Sequence, residues 1–121
     1  MNKIHSERPS FIYKQVLSHR DKNVSKEYKN YVKKIPMLIK TNGLAATLAF
    51  LKVKEDKSKE YEFIYNSLKK WLEKVFNNDK EYENLIENVM NMESNEYRIF
   101  TKETLSLFKW WRRFAESEIG E

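Results

Sequence analysis

Pro36-Met37-Leu38-Ile39-Lys40-Thr41-Asn42-Gly43-Leu44-Ala45-Ala46-Thr47-Leu48-Ala49-Phe50-Leu51 is the stretch that decides the fold. Asn42-Gly43 reads as a helix stop, because both residues tolerate the left-handed conformation in which helices often end. A second helix can start at once, and Leu44 to Leu51 is apolar nearly all round, the mark of a helix buried on most sides. This segment is therefore expected to be the central helix of a bundle.

Working outward, Val24, Tyr28, Tyr31, Val32, Ile35, Leu38 and Ile39 occupy one helix face, which Pro36 should bend or restart. An earlier helix is expected from near Pro9, with the stripe Ile12, Tyr13, Val16, Leu17, ending at Asp21-Lys22-Asn23. Downstream, the charged run Val53 to Lys59 reads as a surface loop. Tyr61, Ile64, Tyr65, Leu68, Trp71, Leu72, Val75 and Phe76 then give the cleanest amphipathic pattern in the chain. Asn77-Asn78-Asp79 should end that helix and cap the next, carried by Tyr82, Leu85, Ile86, Val89 and Met90. After a turn at Glu93-Ser94-Asn95, Thr101 reads as the N-cap of a last helix, with Glu103 in its first turn and Leu105, Leu107, Phe108, Trp110, Trp111, Phe114 and Ala115 along it. Two glycines and two prolines in 121 residues are too few turn-formers for an all-β domain, while seven Tyr, seven Phe and three Trp can fill an interior. The expectation is an all-α fold, one compact bundle of five or six helices forming a single domain over residues 1–121.

The same residues exclude several chemistries. Without cysteine there is no disulfide, thiolate metal site or thiol nucleophile. His5 and His19 are the only histidines and stand in no metal-ligand spacing. Asp56, Glu60, Glu62, Glu81, Glu83 and Glu87 lie beside Lys57, Lys59 and Lys80 and read as solvated helix surface. Two glycines cannot build a phosphate-cradling loop. No catalytic seat, cofactor or metal is expected. The apolar runs are too short for a signal peptide or a membrane span, and cytoplasm is the simplest location.

Charge is the more informative feature. The net +5 divides into +9 over residues 1–54, −5 over 55–96 and +1 over 97–121. A basic half and an acidic middle suggest one surface for a polyanion and another for a basic neighbour or a second copy, against the plainer reading of two solvated faces. Lys26, Lys29, Lys33 and Lys40 recur at helical spacing away from Tyr28, Tyr31, Val32 and Ile35, flanked by Lys22 and Lys34. Such a row can follow a phosphate backbone without reading sequence. In Lys109-Trp110-Trp111-Arg112-Arg113-Phe114 the aromatics read as core, and Arg112 and Arg113 either meet nucleic acid or snorkel to water. Helix, glycine turn and helix across Ile35 to Leu51 also suggest a helix-turn-helix reader, but Leu44 to Leu51 offers only Thr47 to base edges.

Two blocks carry a resemblance. Tyr31-Val32-Lys33-Lys34-Ile35-Pro36-Met37-Leu38-Ile39-Lys40-Thr41-Asn42-Gly43-Leu44-Ala45-Ala46-Thr47-Leu48-Ala49-Phe50-Leu51-Lys52 resembles the most recognisable block of the small subunit of type III-B CRISPR effector complexes, the Cmr RAMP module. Tyr97-Arg98, Thr101, Glu103, Leu105, Trp110 and Arg112-Arg113-Phe114-Ala115-Glu116 resemble that family's second block. Lys54 to Asn95 carries no part of this resemblance. The resemblance implies a small all-α protein without catalytic activity, present in more than one copy beside the repeated backbone subunits that hold guide RNA. It implies contacts with target RNA and with the large subunit at one end. Lys22, Lys26, Lys29, Lys33, Lys34, Lys40 and Lys52, with Arg112 and Arg113, are the candidates to face RNA or those subunits. The alternatives are a free-standing helical nucleic-acid binder or regulator, and a small metal-independent ribonuclease using His19 with Arg20.

Overall fold

Gly43 takes φ 91° and ψ 162°, a conformation open to essentially no residue but glycine. A Cβ there would also stand 3.0 Å from the Tyr97 hydroxyl. In this computed structural model, which describes residues 2–120 and the side chains of residues 6–120, that glycine separates two helices with no further linker. Six helices occur among the described residues: α1 (Asn2–Asp21), α2 (Glu27–Asn42), α3 (Leu44–Lys54), α4 (Lys59–Phe76), α5 (Leu85–Met90) and α6 (Ser94–Glu118). No strand is found among them, and the architecture is an all-α bundle. Met1, Glu121 and the His5 side chain lie outside the described residues and side chains.

Several boundaries differ from expectation for identifiable reasons. Helix α1 starts well before Pro9 and α2 continues through Pro36, so neither proline ends its helix. The run Val53 to Lys59 is only partly loop: α3 extends to Lys54 and α4 begins at Lys59, behind a Ser58 cap whose hydroxyl accepts the Tyr61 N–H at 3.3 Å. Asn77 ends α4, and Asn78 and Asp79 take positive φ. The next helix is then delayed to Leu85, capped by Asn84 through the Glu87 N–H at 3.1 Å. Tyr82 therefore precedes α5 as a buried anchor. Thr101 is no cap. It lies inside α6 and its hydroxyl donates back to the Tyr97 carbonyl at 2.8 Å, the habit of a mid-helix threonine.

Helix α3 is not the centre of the bundle. It buries Leu44, Thr47, Leu48 and Leu51 against α2, α4 and α5, while Ala46 and Val53 stay exposed. The middle is held by α6, which packs on α1, α2 and α4 through Phe100, Thr104, Leu107, Phe108, Trp111 and Ala115. Apolarity all round misleads in α3 because alanine is small enough to remain at the surface at little cost.

Two polar clusters lie inside this core. Arg8 of α1 donates to both oxygens of Glu103 of α6, at 2.8 and 2.7 Å, and the Trp71 indole N–H of α4 donates to the same carboxylate at 2.7 Å. Glu103 therefore ties three helices together in mid-helix and caps nothing. Its hydrogen bonds, helped by its charge, keep the Arg8 guanidinium above its usual pKa despite burial. In the second cluster the Trp111 N–H donates to the Tyr28 hydroxyl at 2.8 Å, which lies 2.7 Å from His19 Nδ1. His19 Nε2 lies 3.3 Å from Ser67 Oγ, and that hydroxyl donates to Gln15 at 2.7 Å. These distances fit a chain in which Trp111 donates to Tyr28, Tyr28 to His19 Nδ1, His19 Nε2–H to Ser67 and Ser67 to Gln15, with the imidazole neutral. Burial, followed by Lys22 and Lys70 nearby, lowers its pKa to about 4. Among the described residues every buried side-chain N or O has a partner.

Candidate nucleic-acid interface

The basic residues of α2 are placed by its apolar stripe. Tyr28, Val32, Ile35 and Ile39 turn inward, which leaves Lys26, Lys33 and Lys40 exposed at seven-residue intervals, about two helical turns or 10 Å apart. Lys29 is half-buried on the same helix. Because α2 packs on α6, Lys33 reaches Glu116 at 4.0 Å, and Arg112 reaches the same oxygen at 3.9 Å. Two basic segments eighty residues apart in sequence are thus joined on one surface around one carboxylate. All three side chains are more than half exposed, so the contacts are long and weakly held.

The other candidates lie elsewhere. Lys40 lines a groove of about 580 Å³ between the end of α2 and the start of α6, shared with Arg98, Tyr97, Thr101 and Met92. Lys34, one position round from Lys33, instead lies over the rings of Tyr31, Phe50 and Tyr61 at 5.6–5.8 Å, a cation–π site facing α3 and α4. Lys22 sits over Phe63 of α4 at 5.4 Å, beside a polar cleft that also holds Glu62 and Lys70. Lys52 pairs with Glu55 at 3.0 Å and lies over Tyr65, by α5. Arg113 approaches Trp110 at 5.8 Å on the outer side of α6. The structure brings together Lys33 and Arg112, aligns Lys26 and Lys40 with them, and separates Lys34, Lys22 and Lys52.

Of the carboxylates read as surface, Glu60 is buried. It accepts the Ser25 N–H at 2.8 Å and the Ser58 hydroxyl at 3.2 Å, fixing the turn that leads into α2. Glu81 pairs with Lys69 at 3.2 Å. His19 and Arg20 have other partners: His19 is held inside by Tyr28 and Ser67, and Arg20 meets Glu118 at 3.0 Å. Among the described residues no group of three or more His, Asp or Glu could hold a metal, and no helix is long and apolar enough to cross a membrane.

Sequence reasoning missed Arg98 as the neighbour of Lys40 and Lys14 beside Tyr13, and it named Lys109 with the α6 aromatics without taking it as a candidate contact. A helix-face count on α6 would have singled it out, since Lys109 and Arg113 are four apart and off the Leu107–Trp111 stripe. The described arrangement is a helical scaffold whose interior polar groups are paired with one another and whose candidate contacts are surface cations. The model of the CRISPR-associated protein family Cas_Cmr5 matches residues 4–118, nearly the whole chain, and the chain therefore belongs to that family, the small subunit of type III-B Cmr CRISPR complexes.

Proposed function

We propose that this chain acts as a non-catalytic, single-domain small subunit that lines the path of guide and target RNA in the complex. In this reading Lys26 at the N-cap of α2, Lys33 and Lys40 within it, and Arg112 of α6 contact phosphates. The observation that carries it is the convergence of Lys33 and Arg112 on Glu116, which makes one basic surface of two segments distant in sequence. Cations at intervals along a rigid helix suit a duplex whose sequence is read by base pairing, because the protein then needs to recognise shape and charge alone. The acidic residues between 55 and 96 would face a backbone subunit, the large subunit or another copy. Lys22, Lys34 and Lys52, on other faces, are better placed for protein neighbours than for the same RNA.

The test is Lys33→Glu combined with Lys40→Glu, assembled into the guide-loaded complex. Target-RNA capture should weaken at near-physiological salt. The slope of log affinity against log salt should also fall by about two, one for each lost phosphate contact. The melting temperature of the purified chain should be unchanged. Normal capture with an unaltered salt slope would end this reading and favour a purely structural role in assembly.

A further inference from the structure

Trp110 and Trp111 are neighbours in sequence with opposite surroundings. Trp111 is fully buried. Trp110 is half-buried at the edge of the core and stacks on Phe114, with ring centroids 5.8 Å apart and planes 25° apart. Phe114 in turn meets Tyr13 of α1 edge-on, with centroids 5.0 Å apart and planes at 71°. Tyr13 is 37% exposed, less than Met37, Val53, Met90 or Ile99, but it is the one exposed aromatic side chain among the described residues. The three rings form a strip along the seam between α1 and α6.

Cations border this strip. Arg113 lies 5.8 Å from the Trp110 ring, Lys109 is one turn before it on α6, and Lys14 follows Tyr13 on α1. All three are exposed, and among the described residues none pairs with a carboxylate. Arg112, one position round on α6, leads to Glu116 and Lys33 and so to the basic face of α2. The open parts of these rings, Tyr13 most of all, cost hydration, and unpaired cations beside them repel one another. A ligand that relieves both must present flat apolar faces and regularly spaced negative charge.

Single-stranded RNA has both properties: every base has a π-face for stacking, and its phosphates can pair with the flanking cations. We propose that Tyr13, Phe114 and Trp110 form a stacking platform for two or three unpaired RNA nucleotides, with phosphates held by Lys14, Lys109 and Arg113. The proposal rests on the RNA-contact reading above but uses different residues and a different interaction. It assigns this surface to unpaired bases, where the α2 face takes backbone phosphates.

Tryptophan emission gives a local readout, because Trp71 and Trp111 are fully buried and Trp110 is the half-exposed indole. The purified full chain is titrated at low salt with an oligouridine of about 15 nucleotides, comparable to the larger single-strand sites. Emission should be quenched on binding, and a duplex of equal length should quench it much less. Trp110→Ala, followed by anisotropy of labelled oligouridine, should weaken binding about tenfold, with Tyr13→Ala weakening it less and Trp110→Phe retaining most of it. Should Trp110→Ala fail to fold, Tyr13→Ala on the exposed side carries the same test. Absence of quenching, equal quenching by duplex, or unchanged affinity in the ring variants would overturn the proposal. So would loss of Tyr13→Ala protein from the assembled complex with RNA binding intact, which would assign the strip to a protein neighbour. Lys33→Glu with Lys40→Glu separates the two readings: strip quenching that survives it stands independently of the α2 face.

Discussion

The same chemistry, an arginine on a glutamate of α6, has opposite consequences at Glu103 and at Glu116. Between α1 and α6, Arg8 and Glu103 meet at 2.7 Å with side chains only 10% exposed, and Trp71 completes the carboxylate's shell. On the outer side of α6, Arg112 stands 3.9 Å from Glu116 with both side chains more than half exposed, and Lys33 competes for the same oxygen. The inner pair is largely shielded from water, so removing either partner leaves the other charge buried without its counter-ion. The outer carboxylate is shared by two cations at long range, and those cations can exchange it for a phosphate at little cost. Charge inside ties the helices to one another, and charge outside is held loosely enough to change partners.

The sharpest way to break this comparison is to remove Glu103. Glu103→Ala leaves the Arg8 guanidinium and the Trp71 N–H buried without partners and should destabilise the fold by about 3–5 kcal/mol. Arg8→Met together with Glu103→Met should recover much of that loss, because no bare charge remains and only the indole N–H is unpaired. Urea unfolding of the two variants measures both. A loss below about 1 kcal/mol for Glu103→Ala would place the inner pair with the outer one as a surface contact.

The second interior cluster sharpens the comparison through pH. The His19 pKa falls from the ordinary value of 6.5 to about 4 on folding. The unfolded chain therefore takes up a proton between those values that the native chain refuses. Stability from this group is full above about pH 6.5 and is lost as pH falls toward 4, amounting to about 3 kcal/mol in all. His19→Gln removes the titration, so the difference in stability between wild type and variant should narrow as pH is lowered through this window. A difference that stays constant from pH 7 to 4 would mean that His19 is not held neutral by Tyr28 and Ser67.

Much of the fold was legible from sequence because it rests on local rules. The Asn42-Gly43 stop, the amphipathic α4 and the all-helical class follow from backbone tolerance, hydrophobic period and the shortage of turn residues. The errors concern partners distant in sequence. Nothing near Glu103 reveals that Arg8, ninety-five residues away, will meet it, so its placement in a first turn was the natural local reading. Thr101 looked like a cap because its back-bond to Tyr97 becomes apparent only when α6 is seen to start at Ser94, behind Glu93, which makes no side-chain cap bond. Of the candidate interface, the α2 lysines were legible as a stripe. Their union with Arg112 and the turning away of Lys34 and Lys52 depend on how α2, α3 and α6 pack, which a one-dimensional pattern does not contain.

The smallest effect tests the outer region alone. Glu116→Gln keeps the shape of the side chain and removes the charge that Lys33 and Arg112 share, so stability should change by no more than about 0.5 kcal/mol, as for an ordinary surface substitution. RNA affinity of the assembled complex should rise, by about two- to fivefold at low salt, because two cations lose a competitor and one like-charge repulsion with phosphate disappears. The gain should shrink as salt is raised and screening weakens both terms. A loss of affinity would mean that Glu116 orients Lys33 and Arg112 for binding, which would make the outer cluster a preorganised site resembling the inner one. A large loss of stability would mean that the α2–α6 seam depends on this contact, and the division between structural charge inside and binding charge outside would no longer hold.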